Sequence, residues 1–295
     1  MSGHGIHARL LVLEIRPPRL LSMAEDGTDL RVLIADLGAT PDGIRVDRRR
    51  GHIYWTNMGA DFDAPDGTIE RCDLDGTNRI VLIGGGRIVT PKQLELTDTH
   101  LYWCDREGMA VMRARRDGSD VEVLVRRGEG EADRADEMRH CVGIAVDVAG
   151  GYVYWTQKGP DNGDLGRIFR APLQLPIGAT PDARPDIELL IDKLPEPIDL
   201  ELDAPEGLLY WTDRGSPPDG NSLNRARVDA AGLSGHEIVA RGLQEGIGLA
   251  LDTSARVAYV SDLGGKIRRI GLDDGVSAVV RTFGPTTGLV RYVPD

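Results

Sequence analysis

A five-residue phrase returns along this 295-residue chain and constrains its fold more than any other feature. It reads Ile53-Tyr54-Trp55-Thr56-Asn57, Leu101-Tyr102-Trp103-Cys104-Asp105, Val153-Tyr154-Trp155-Thr156-Gln157 and Leu209-Tyr210-Trp211-Thr212-Asp213, with a worn copy at Ala258-Tyr259-Val260-Ser261-Asp262. Successive Trp positions, ending at Val260, lie 48, 52, 56 and 49 residues apart. At such periods one supersecondary unit repeats around a ring or along a stack. The phrase consumes all four tryptophans, so it describes a scaffold before it describes a function. No stretch falls outside the repeat, and residues 1–295 read as a single domain.

Each unit reads as four short strands. In the second unit, Gly43 to Asp47 alternates like a strand, Arg48 to Gly51 turns, and His52 to Thr56 forms the next strand. After a loop containing Asp66-Gly67 come Thr68 to Cys72, a tight turn at Asp75-Gly76-Thr77, and Arg79 to Ile83. Four strands per repeat of this length predict a propeller blade, in an all-β fold with little room for helix. The termini complete one another. Ala8 to Glu14 matches a second strand and Arg31 to Ile34 a fourth, while Thr286 to Arg291 matches the innermost strand at Pro41 to Val46. Pairing the C-terminal innermost strand with the N-terminal strands gives six complete blades and leaves no open sheet edge inside the ring.

The phrase, the turns at Asp26, Asp75 and Asp117, and an arginine recurring before them resemble the YWTD repeats of the low-density lipoprotein receptor family. The resemblance covers nearly the whole chain and implies a six-bladed propeller; by itself it also implies a binding module. In those receptors the propeller is extracellular and is followed by a cysteine-rich growth-factor-like module, which has no counterpart in this sequence.

Composition narrows the partners. A formal net charge of −12 opposes unassisted binding to a phosphate backbone or an anionic membrane, so nucleic acid and membrane are not expected. No apolar run is long enough to span a bilayer, and Met1 to His7 lacks the pattern of a signal peptide, which points to the cytoplasm. Cys72, Cys104 and Cys141 are odd in number and widely spaced, so they encode neither a disulfide framework nor a zinc site. Cys72 and Cys104 read as small buried fillers.

Five arginines, Arg71, Arg113, Arg170, Arg225 and Arg269, hold one equivalent third-strand position. Asn57, Asp105, Gln157, Asp213 and Asp262 hold one second-strand end. A polar bond between the two positions within each blade is the economical reading, with the Tyr and Trp rings packed between blades. Arg48, Arg49 and Arg50 read as a solvated turn.

Function is expected where the repeat is broken, at the residues that open the innermost strands. Asp42, Lys92, Gln93, His140, Glu196, Asp199, Glu245 and Thr287 gather there and differ from blade to blade. His140 is the candidate general acid or base, with Glu245 or Asp199 orienting it, Lys92 stabilising a developing anion and Asp42 completing the set. Gln93, Glu196 and Thr287 are candidate substrate contacts. Cys141 beside His140 suggests a thiolate, but strand neighbours point to opposite faces. Arg126 to Arg139 is charged and leads into His140, as a lid would. Arg106, Lys158 and Arg214 follow three successive phrases and form a cationic arc suited to a carboxylate or phosphate, or else pair with Glu107, Asp161 or Asp219. The Pro-rich insertion Pro172 to Pro185 lies on the opposite face, where it could meet a partner or a second copy of the chain in a homo-oligomer.

Three functions compete. The first is a cofactor-independent enzyme acting by acid–base chemistry on a small anionic metabolite, as a hydrolase, lyase, isomerase or cyclase. No nucleotide-binding glycine motif supports redox or ATP-dependent chemistry. The second is a non-catalytic ligand- or protein-binding propeller. The third is a calcium-dependent lactonase-like hydrolase, for which Asp42, Asp199, Glu196 and Glu245 offer oxygen ligands.

Overall fold

The structure, a computed structural model, describes residues 8–294. Met1 to His7, read above for a targeting signal, lie outside the described residues. The chain forms six four-stranded antiparallel sheets, each running from an innermost to an outermost strand in sequence order. Blade 1 is the exception that closes the ring. Its innermost strand, Thr286–Tyr292, pairs with Arg9–Ile15, placing Leu289 opposite Val12 and Val290 opposite Leu11. Blades 2 to 6 begin with innermost strands Pro41–Asp47, Pro91–Leu96, Cys141–Asp147, Pro197–Asp203 and Gly246–Asp252.

Two local causes shape each blade. Turns between third and fourth strands close because the Oδ1 atoms of Asp26, Asp75 and Asp117 accept bonds from the backbone N–H and hydroxyl of Thr28, Thr77 and Ser119. Gly76 in such a turn has φ +86°, and a Cβ there would sit 2.5 Å from the Leu33 carbonyl oxygen of the preceding blade. The same glycine thus serves the turn and lets the neighbour approach.

The core lies between blades. Tyr54 of blade 2 packs with Leu94, Leu101 and Trp103 of blade 3, and Tyr102 of blade 3 with Ile144 and Trp155 of blade 4. All four Trp side chains are fully buried. Cys72 and Cys104 fill the same layers, and burial pushes the Cys72 thiol up to about 12.

One expectation is corrected. The recurring arginines do not bond to the acids at the second-strand ends. Register places each arginine opposite the Tyr of its phrase, as in Arg71 with Tyr54 and Arg225 with Tyr210. Meanwhile the acid points past the strand end and caps the segment entering the innermost strand: Asp105 accepts from Val89 and Thr90 N–H, Asp213 from Glu196 and Gly215 N–H. Blades 3, 4 and 5 instead pair the arginine with a fourth-strand glutamate, Glu122, Glu188 and Glu237. The Pro-rich insertion turns back on its own chain. Fully buried Arg184 donates to the carbonyls of Leu124 and Pro172, and Arg126 reaches the Pro181 carbonyl through its N–H and Asp182 through its side chain.

Candidate functional site

The innermost strands stack side chains in layers around the axis. Pairing with the second strands aligns Ile44, Leu94, Ile144, Leu200 and Leu249 opposite the Trp position of each phrase. Two residues earlier stand Thr287, Asp42 and Lys92 in blades 1 to 3, and Val142, Ile198 and Ile247 in blades 4 to 6. All six are buried. One half of this layer is therefore polar. The other half is apolar, and its three residues touch one another and Leu263.

The polar half is bonded internally. Lys92 Nζ lies 3.1 Å from Asp42 Oδ1 and 3.2 Å from Met58 Sδ, and the Gln93 amide donates to Asp42 Oδ2 at 3.2 Å. Thr287 Oγ1 donates to the Pro41 carbonyl. Burial lowers the proton affinity of Lys92, Asp42 opposes that shift, and the charges of Arg106 and Arg214 deepen it. Those two arginines therefore belong to the same electrostatic field.

Next in sequence comes the closest approach of neighbouring blades. A Cβ on Gly143 would lie 1.8 Å from the Ile198 carbonyl oxygen, and Gly43, Gly248 and Gly288 are similarly tight. Blades 3 and 5 place Gln93 and Asp199 there instead. Asp199 solves the crowding by accepting the N–H of Leu200 and, across the blade boundary, of Leu249. Burial raises its carboxyl to about 7, against the pull of Arg45. A carboxyl with a raised folded-state value stabilises the protein fully below its ordinary value near 3.8 and loses that contribution as pH rises through about 7. We expect stability to fall between about pH 4 and 7, with part of the slope removed in Asp199→Gly, the residue other blades use. Urea unfolding at pH 5 and pH 8 checks this; equal slopes in both proteins would contradict it.

A further layer, opposite the Tyr positions, was not foreseen. It consists of Arg45, Glu95, Ala145, Glu201, Ala250 and Val290. Arg45 Nη2 lies 3.2 Å from Glu95 in the next blade and 2.9 Å from Glu201 in the blade diametrically opposite. Burial holds the Glu201 carboxyl above its usual range despite the attraction of Arg45. The charged triad spans the axis. Its only sequence signal is three charged residues at one strand position where the other blades have Ala or Val.

The remaining expected residues divide. Glu196, Lys158, Arg214 and Asp161 form a separate buried-to-exposed cluster at the rim: Arg214 is 2.5 Å from Glu196 and 2.8 Å from Asp161, and Lys158 is 2.6 Å from Asp161. The lysine and arginine hold the Asp161 carboxyl down at about 2. Arg106 pairs with Glu107 at 2.5 Å and covers the Phe62 ring. Local acids thus partner the cationic arc, although Asp219 pairs with Arg241 rather than with Arg214. His140 is not oriented by Glu245 or Asp199. Its Nε2–H donates to the Arg134 carbonyl at 2.8 Å, while Glu245 is exposed, with φ +56°, and engages Asn221 through its N–H. Nor is Cys141 a thiolate: burial pushes it up to about 12. The segment 126–139 contains a short helix, Gly130–Arg134, and a 3-10 turn, Glu137–Arg139. Arg134 donates to the Asp63 carbonyl of blade 2 and Glu137 approaches Lys158 of blade 4, so the segment bridges loops of those two blades.

Calcium finds no suitable donor set. Asp42 is neutralised by Lys92, Glu196 by Arg214 and Lys158, and Asp199 is spent on backbone N–H groups. Among the described residues, no three carboxylate, His or Cys side chains converge as ligands.

No family model matches the sequence. A Pyricularia oryzae protein named low-density lipoprotein receptor-related protein 1 is 48% identical over 288 residues, spanning 93% of this chain and 92% of that one. The chain belongs to the YWTD-repeat propeller family. A second fungal relative of this family member, the 3-hydroxyacyl-CoA dehydrogenase-like protein LAM1 of Cochliobolus heterostrophus, is 40% identical over 272 residues. The match takes in 88% of this chain but 57% of LAM1, so much of that protein lies outside the propeller. Among solved structures, one from a nidogen/laminin complex superposes with a TM-score of 0.73 at 18% identity, over 98% of this chain and all of that one. A Xanthomonas campestris gluconolactonase superposes with a TM-score of 0.64 at 16% identity, over 98% and 91%. Both likenesses show the propeller fold alone. No described helix is long and apolar enough to cross a membrane.

Proposed function

We propose that the chain binds a small anionic metabolite at the channel mouth and transforms it by cofactor-independent acid–base chemistry. The class is hydrolysis, elimination, isomerisation or cyclisation. One observation carries this reading: the buried Lys92 ammonium has three N–H donors but, among the described residues, only one carboxylate partner, its other neighbour being the weakly accepting sulfur of Met58. Donor capacity remains for an anionic group, and the lowered proton affinity of Lys92 moves it toward a range useful for proton transfer. Asp42, fixed by Gln93, orients the amine. Val142, Ile198 and Ile247 supply an apolar wall opposite. His140 takes a positioning role, tying the bridging segment to the mouth.

The dehydrogenase-like name of LAM1 and the lactonase fold neighbour lean toward an enzyme. Redox chemistry is not carried over, because the name describes a protein of which this chain spans little more than half. A non-catalytic binding propeller is the second reading, favoured by the receptor-related name of the Pyricularia relative and by the nidogen/laminin complex.

The test is a panel of small carboxylates and phosphate esters, scored for binding and conversion. In the converting reaction, Lys92→Met combined with Asp42→Asn, which leaves no buried charge unpaired, is expected to lower kcat about 100-fold or more. Unchanged kcat would remove Lys92 from the chemistry. Saturable binding by Lys92 with no conversion of any bound member would select the non-catalytic reading.

A further inference from the structure

Three grooves on the face opposite the mouth include a third-strand arginine in their lining, Arg71, Arg170 or Arg225. Blades 3, 4 and 5 neutralise this arginine twice. A fourth-strand glutamate stands directly opposite, and Arg113, Arg170 and Arg225 also donate to loop carbonyls of the next blade, at Leu173, at Asp229 and Ala230, and at Leu272. Blade 2 has neither device. Ile80 stands opposite Arg71, and among the described residues no carboxylate pairs with it. The next blade brings another guanidinium, Arg116, over the Tyr54 ring.

The result is a cavity of about 350 Å³ between blades 2 and 3, lined by Arg50, Arg71, Arg115 and Arg116 with His52, Tyr54 and Thr99. That is the size of a small-ligand site. Arg50 and Arg116 share one carboxylate, Asp47. Two acids also line the groove, but Asp117 is spent on its own turn, and Asp98, at the exposed rim, approaches Arg49 at 3.8 Å. Among the described residues, the buried Nε atoms of Arg71 and Arg116 and Nδ1 of His52 have no hydrogen-bond partner. Burial and then Arg71 lower the proton affinity of His52, Asp73 at 3.6 Å from its Nε2 opposes them, and Arg50 adds to the lowering. Blade 6 has a similar vacancy, with Ala278 opposite Arg269, but there Glu25 of blade 1 enters the neighbourhood of Tyr259.

We propose that this groove binds a phosphate-bearing small ligand, whose oxyanion supplies Arg71 with the charge that Glu122, Glu188 and Glu237 supply in other blades. Arg115 pairs with Asp120 at 2.6 Å, so Arg71 is the lining arginine without a carboxylate among the described residues, and its guanidinium fork suits a tetrahedral oxyanion. The site lies on the face away from Lys92 and stands whether or not the mouth is catalytic.

Calorimetric titration at low ionic strength with inorganic phosphate, and separately with citrate, tests it. Wild-type protein is expected to bind phosphate saturably and more tightly than citrate. Ile80→Glu, a change at an exposed strand position that installs the missing partner, is expected to weaken phosphate binding about tenfold or more. Arg71→Gln should do the same, while Arg269→Gln should leave it unchanged. Absent saturation in the wild type, equal affinity in Ile80→Glu, or tighter binding of citrate would each overturn the proposal.

Discussion

A chain ended after Pro285 is expected to lose cooperative folding. The deletion removes the innermost strand of blade 1, leaving Arg9–Ile15 as an unpaired edge facing the axis. It also withdraws Leu289 from the core shared with blade 6 and Tyr292 from that shared with blade 2. Each buried side chain of this size contributes about 1.5–3 kcal/mol, and each lost ladder bond about 0.5–1.5 kcal/mol. Together these losses approach the whole stability of an ordinary domain, about 5–15 kcal/mol. An open strand edge further invites association between chains. Thermal melting by circular dichroism with size-exclusion chromatography checks the outcome. A monomer with a sharp, nearly unshifted transition would mean that ring closure contributes little.

Trp155→Ala is expected to cost about 3–5 kcal/mol. The ring is fully buried and stacks on Phe169 at a centroid distance of 5.4 Å, within a core shared by blades 3 and 4. Trp155→Phe should cost much less. Among the described residues the indole N–H has no hydrogen-bond partner, as at Trp55, Trp103 and Trp211, so the phrase retains Trp for its area rather than for its donor. Urea unfolding of the two variants separates these contributions; similar large losses would show that the N–H matters.

The fold was legible because its cause is repeated: the Tyr of one blade meets the Trp of the next at three boundaries, with apolar stand-ins at the others, and Thr286 to Arg291 carries the pattern missing at the N-terminus. The polar site was legible only in part. Asp42, Lys92, Gln93 and Thr287 could be aligned by counting from the phrase, and they do come together. His140 and Glu245 sit in connections whose paths the repeat does not dictate, and those paths carry them to the Arg134 carbonyl and to solvent. Arg45 meets Glu201 across the axis, a contact between blades 2 and 5 that no local spacing reports. The arginine–acid bond failed for a simpler reason. Both residues recur with the same period, but antiparallel register sets them three positions apart, and each found a nearer partner.

The most direct test of the mouth as the functional site is a side-chain NMR titration of the lysines. The chain has only four, Lys92, Lys158, Lys193 and Lys266. Lys92 is expected to titrate below the ordinary lysine value of 10.5, and its resonance should move when an anionic metabolite from the panel binds. A Lys92 that titrates normally and stays unmoved by every bound metabolite would contradict a functional site at the mouth.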